Sequence, residues 1–212
     1  MSRETQRLQD DDAANPGMLW VLDGEALWND NCASCHKSGM KGVAARYPAT
    51  YKGRVINLEQ RINLCRVEQQ KAPPFRYESK ELLALTAYIG RQSRGMPVAV
   101  SIDEKSKSEF EKGKALFFQR QGQLNLACTQ CHDQQVGKRL AGNPIPQAHP
   151  TGYPIYRLEW QGLGSLQRRL RNCLNGIRAE LYPYGSQELV DLEFYLMWRA
   201  RGMKIETPAV RP

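Results

Sequence analysis

Cys32-Ala33-Ser34-Cys35-His36 and Cys128-Thr129-Gln130-Cys131-His132 govern the reading of everything else in this chain. Each segment sets two cysteines three residues apart, with a histidine directly behind the second. Two thiols on one helical turn reach the two vinyl groups of one porphyrin, and the imidazole beside them projects onto the iron. C-x-x-C-H is therefore the attachment pattern of c-type haem. A thioredoxin-like redox pair has no need of the histidine. A zinc site needs further ligands, and only one histidine, His149, lies outside the two motifs. The expectation is two covalently bound haem c groups, one on Cys32 and Cys35 with His36 on iron, the other on Cys128 and Cys131 with His132 on iron.

Working outward, each motif follows a short helical pattern with a glycine near its start. Gly24 to Trp28 precedes the first and Gly113 to Phe118 the second, each reading as an amphipathic helix laid on a flat apolar partner. Downstream, Leu58-Glu-Gln-Arg61-Ile-Asn-Leu-Cys65 matches Leu166-Gln-Arg-Arg169-Leu-Arg-Asn-Cys173 in its leucine, arginine and cysteine. A longer helical pattern follows in both places, Ser79 to Gly90 and Ser186 to Met197, each opened by a serine suited to cap it. Both patterns lead into the same tripeptide, Arg94-Gly95-Met96 and Arg201-Gly202-Met203. The spacing between copies is 96 residues at the motifs (32 to 128) and 108 at the cysteines (65 to 173), so the second copy is longer. The Pro-rich stretch Asn143 to Tyr156 is the natural place for the extra residues. The fold class that follows is mostly α, with two cytochrome c-like domains related by duplication. Residues 1–99 form the first domain and 100–212 the second, joined by the polar, charged run Val98 to Ser108. Few runs alternate with period two, so sheet is expected only in short pieces.

Iron in an electron-transfer cytochrome takes a second axial ligand, often methionine from the loop ahead of the last helix. That region holds no methionine in either copy; it holds Cys65 in the first and Cys173 in the second. Met96 and Met203 follow the last helix and have to fold back to reach iron. Met40 stands too near His36 to span to the opposite face, and His149 has no counterpart in the first copy. The residues point to thiolate ligation by Cys65 and Cys173. A Cys65–Cys173 disulfide between the domains and other ligands stand as alternatives. Arg61 and Arg169 lie one turn before these cysteines on the same helix face, where a guanidinium lowers a thiol pKa. A surface ion pair is the plainer role for either arginine alone.

Composition sets the outer limits. The 212 residues are 41% apolar and 25% charged, as in ordinary globular proteins. No stretch approaches the roughly 18 consecutive apolar residues of a membrane helix. The first residues, MSRETQRLQDDDAANPGM, lack the apolar centre of a signal peptide. The net charge of +8 comes from scattered Lys and Arg without an aromatic-basic motif, which argues against nucleic acid. A basic surface suits an anionic substrate or an acidic partner.

Further segments carry a specific resemblance: NPGMLW (Asn15 to Trp20), MKGVAARYP (Met40 to Pro48), NLEQRINLCR (Asn57 to Arg66), GQLNL (Gly122 to Leu126) and IPQAHPTGYPIYRLEWQGLGSLQRR (Ile145 to Arg169). Over nearly its whole length the chain resembles the SoxA family, the subunits of the SoxAX cytochromes of bacterial thiosulfate oxidation. Some members replace the first haem with a disulfide; Cys32, Cys35 and His36 make this chain resemble the dihaem type. The resemblance implies an L-cysteine S-thiosulfotransferase, a haem enzyme that oxidatively joins thiosulfate to a cysteine on the swinging arm of the carrier SoxYZ. Its partner is a small SoxX-like cytochrome c subunit, and two electrons leave through the haems. The family's catalytic cysteine, a ligand of the second haem often found as a persulfide, matches Cys173. Its active-site arginine matches Arg169, and Cys65 matches the axial ligand of the first haem. Arg168 and Arg171 stand beside Arg169 and can help neutralise the dianion. Covalent haem attachment outside the cytoplasmic membrane implies a periplasmic protein with its signal already removed. Two other functions compete. A purely electron-transfer dihaem cytochrome predicts closed haems without an anion pocket. A thiosulfate dehydrogenase forming tetrathionate typically has methionine on its second haem, where both copies here offer cysteine.

Overall fold

The computed structural model describes residues 1–140 and 142–212. Among them, eight α-helices run in the order α1 (Arg3–Asp10), α2 (Met18–Asn31), α3 (Leu58–Glu68), α4 (Lys80–Arg91), α5 (Lys107–Phe118), α6 (Cys128–His132), α7 (Leu166–Gly176) and α8 (Gln187–Arg199). The strands are two or three residues long: β1 (Ala49–Tyr51), β2 (Arg54–Ile56), β3 (Arg139–Leu140), β4 (Asn143–Pro144), β5 (Ile155–Arg157), β6 (Gly162–Gly164) and β7 (Ala209–Arg211). The sequence of elements repeats, with α2, α3 and α4 answered by α5, α7 and α8. This is the mostly helical, duplicated cytochrome c-like architecture.

In both copies the last helix is the centre. Leu82, Leu83, Leu85, Ala87 and Ile89 bury almost every face of α4, and Leu189, Val190, Leu192, Phe194 and Leu196 do the same for α8. A helix apolar all round belongs inside. Ser79 and Ser186 cap these helices as their position suggests, each hydroxyl accepting from the backbone N–H three residues on. The glycines ahead of the motifs have a different purpose from the one their sequence suggests. Gly24 is where α2 crosses α4, and a Cβ there would lie 2.6 Å from the carbonyl carbon of Ala84. Gly113 is the same point on α5, against the Asp191 carbonyl of α8. The partner of each leading helix is thus another helix, approached backbone to backbone.

The run Val98 to Ser108 differs from a free tether. Val98 and Val100 are buried, and Val98 N–H donates to Met203 O at 2.8 Å while Gly202 N–H donates to Val98 O at 2.9 Å. The two Arg-Gly-Met segments zip against each other, with Gly95 N–H on Ile205 O and Ile205 N–H on Met96 O. Two valines in an otherwise polar run find core space, and repeated segments that meet can exchange hydrogen bonds. The copies also share apolar packing: Ala45, Val55, Val98 and Val100 lie with Phe110, Phe117, Phe194 and Leu196. The longer second copy supplies the three-stranded sheet, β5 antiparallel to β6 and parallel to β7. Among the described residues no helix is long and apolar enough to cross a membrane.

Candidate functional site

At the first motif, Cys32 closes α2, and the chain turns so that Cys35 and His36 N–H both donate to Cys32 O, at 3.1 and 3.0 Å. The Trp28 ring lies 5.4 Å from the His36 ring. Helix α3 brings Arg61 and Cys65 to the same place. A cavity of about 620 Å³ is lined by Cys32, His36, Arg61 and Cys65 together with Met40, Tyr47, Leu85 and other apolar side chains. Burial, then the charge of Cys65, pushes the Cys32 thiol up. Arg61 lies over the Tyr51 ring at 4.3 Å. Met40 does reach this cavity, so its nearness to His36 places it at the pocket wall.

The second motif forms α6. His132 Nδ1 donates to Pro146 O at 2.7 Å, which fixes the tautomer and leaves Nε2 for a metal. Pro146 belongs to the extra stretch of the second copy. Burial, then the charge of Cys173, pushes the Cys128 thiol up to about 11. Cys173, on α7, lies within electrostatic reach of Cys128, Cys131, Arg169 and Arg157. The expectation that Arg169 lowers the thiol pKa holds for its own contribution. Burial outweighs it, so in the protein alone the Cys173 thiol is pushed up.

No two of the six cysteines are bonded to each other, and Cys65 and Cys173 each face their own motif. This removes the disulfide alternative. Met203 is exposed at 42%, and His149 sits near Arg199 and Asp133. Both donor sets, two thiols with a histidine and a further cysteine on a separate helix, suit a covalently held haem iron.

Two residues near Cys173 escape the sequence reading. Arg157, at the end of β5, is buried and feels the charges of Arg169 and Cys173. It pairs with Glu159 at 2.9 Å, yet its Nε has no partner. Tyr153 feels Arg169 and Cys173, and burial pushes its hydroxyl up to about 12. Neither sits in the stretch that repeats around the cysteines. The available signal was a basic residue closing the apolar run Tyr153-Pro-Ile-Tyr-Arg157. Among the described residues Arg169 forms no ion pair and Arg157 has only Glu159, so two guanidinium groups and one carboxylate stand near a half-buried thiol. Arg168 and Arg171 point elsewhere: Arg168 stacks on Trp160 at 4.2 Å, and Arg171 on Tyr184 at 4.5 Å with a bond to Tyr182 O.

Comparison with known proteins agrees with this geometry. The family model "SoxA/TsdA, cytochrome c domain" matches residues 23–98 and again 112–205. The L-cysteine S-thiosulfotransferase subunit SoxA of Pseudaminobacter salicylatoxidans is 42% identical, over 98% of this chain and 77% of that protein. The subunit of the same name from Rhodovulum sulfidophilum is 37% identical, with the same coverage. The crystal structure of SoxXA from P. pantotrophus superposes with a TM-score of 0.95 at 32% identity, covering 100% of this chain and 84% of that one. With two matched repeats, this identity and two complete attachment motifs, the chain belongs to the SoxA/TsdA family of cytochromes c, which carry covalently bound haem c.

Proposed function

We propose that this chain is the dihaem cytochrome c subunit of an L-cysteine S-thiosulfotransferase. The observation that carries this reading is Cys173, half-buried beside the second motif and flanked by Arg169 and Arg157. The reaction joins thiosulfate to a cysteine thiol of a SoxYZ-type carrier. One S–S bond forms, the thiol proton is released and two electrons leave. When bound, the haems accept and pass on those electrons. Arg169 and Arg157 neutralise and orient the dianion by charge-assisted hydrogen bonds. Cys173 presents its sulfur to the incoming sulfane, with Tyr153 beside it.

In this assignment Cys32, Cys35, His36 and Cys65 would hold the first haem, and Cys128, Cys131, His132 and Cys173 would hold the second. Residues 1–99 are the first domain and 100–212 the second. The partner is a small cytochrome c of the SoxX kind, and the compartment is the periplasm. Nucleic acid has no place in this reading.

The test supplies the haem-loaded chain with its small cytochrome partner, an electron acceptor, thiosulfate and the carrier. The expected product is carrier heavier by one thiosulfate group on its cysteine. Tetrathionate formed equally fast without carrier would replace this reading with thiosulfate dehydrogenase.

A further inference from the structure

Between the two copies lies a second cavity, of about 670 Å³, lined from one side by Tyr47, Asn57, Glu59 and Thr86 and from the other by Tyr153, Ser165, Glu193 and Thr207. The repeat places four polar residues here in matched pairs. Glu59 corresponds to Gln167, each second in its helix, α3 or α7. Thr86 on α4 corresponds to Glu193 on α8. The duplication therefore leaves one acid in each copy, and both are buried, Glu59 at 6% exposure and Glu193 at 7%.

The bonding around them crosses the junction. Asn57, which caps α3, donates its side-chain amide to both Glu193 oxygens at 3.2 Å. Ser165, which caps α7, donates its backbone N–H to Glu78 of the first copy at 3.3 Å. Glu59 Oε2 is buried without a partner. The groups facing the pair are Glu78 and Tyr77 ahead of α4, Thr86 on α4, Gln167 and Arg168 on α7, and Thr151 and Tyr153 from the long loop. The one cation among them, Arg168, lies 3.9 Å from Glu78 and is partly exposed. Two carboxylates in such a place cannot both ionise without cost.

We propose that Glu59 and Glu193 are held as neutral acids at the junction of the two domains, and that ionising them weakens that junction. Burial, then the charges of Glu193 and Glu78, pushes Glu59 well above the usual glutamate range; burial pushes Glu193 up to about 7 against its hydrogen bonds from Asn57. The sign follows. The folded protein keeps a proton that the unfolded chain releases near pH 4.5, so this contribution to stability falls as pH rises from there through about 7. Six residues separate Glu59 from Cys65, and Gln167 from Cys173. That is about 9 Å of helix rise.

The test is thermal melting of the haem-loaded chain from pH 5 to pH 9, with an infrared difference spectrum between pH 6 and pH 9. The wild-type Tm is expected to drop by about 5 °C or more across this range. Glu59→Gln and Glu193→Gln should each flatten the curve, and the exposed Glu188→Gln should not. The infrared spectrum should show a protonated-carboxyl band at pH 6 that weakens in either variant. If neither variant folds, the wild-type spectrum decides alone. A wild-type protein without that band overturns the proposal, as do variants whose pH dependence matches wild type. A Tm set by added Na⁺ or Ca²⁺ instead of pH also overturns it, because the pair would then hold a cation.

Discussion

Alanine at Gly113 probes the framework that holds the second motif in place. Its Cβ would overlap the Asp191 carbonyl of α8 and lie 3.1 Å from the Leu192 nitrogen, where ordinary contact begins at 3.4 Å. Both atoms are backbone, so no side chain can swing aside, and α5 has to back away from α8. That motion opens the packing of Phe110 on Phe194 and of Phe117 on Tyr195, now at ring separations of 6.2 and 5.4 Å. Overpacking costs about 1–3 kcal/mol, and a clash with backbone belongs at the top of that range. Alanine recovers about 1 kcal/mol of helix propensity over glycine. The net loss is about 2 kcal/mol, or a Tm about 4–8 °C lower for a chain of this size. Gly176 provides the control. A Cβ there meets nothing within 4 Å, so Gly176→Ala should raise Tm by about 2 °C. Circular dichroism melts of the haem-loaded proteins measure both. A Gly113→Ala protein melting at or above wild type would show that close approach at this glycine does not hold α5 on α8.

Two further outcomes bear on the cofactor and the site. Intact mass after acid-acetone extraction should exceed the 24.1 kDa polypeptide by two haems; one haem would remove the first domain from the redox argument. Arg157→Ala should lower kcat/KM for thiosulfate about tenfold to hundredfold, the worth of about 1.5–3 kcal/mol of charge-assisted bonding. A change within twofold would return Arg157 to a structural role with Glu159 and Trp160.

Much of this protein is legible in its sequence because the duplication prints each feature twice. The two C-x-x-C-H motifs, the Arg61/Cys65 and Arg169/Cys173 pairs and the capping serines all follow from local spacing, and the structure places each where that spacing implies. What is not legible depends on contacts between copies. Val98 and Val100 read as part of a polar connector, and only the pairing of the two Arg-Gly-Met segments shows why they are buried. Gly24 and Gly113 read as helix starts, since a sequence does not reveal which backbone crosses at a glycine. Arg157 lies outside the repeat, so nothing in the first copy singles it out. The direction of the Cys173 pKa turns on burial, which spacing to Arg169 cannot report. The buried acids escaped for the same reason: Glu59 and Glu193 occupy non-equivalent positions and meet only across the junction.

The central claim is that thiosulfate meets the second centre and not the first, and the duplicated arginines test it most directly. Arg169→Ala and Arg61→Ala remove the same group from equivalent positions, one turn before Cys173 and Cys65. Thiosulfate conjugation to the carrier cysteine should lose about tenfold to hundredfold in kcat/KM when Arg169 is replaced, with the haem spectrum little changed. The Arg61 variant should turn over at nearly the wild-type rate. Equal losses from both, or a loss confined to Arg61→Ala, would contradict catalysis at Cys173.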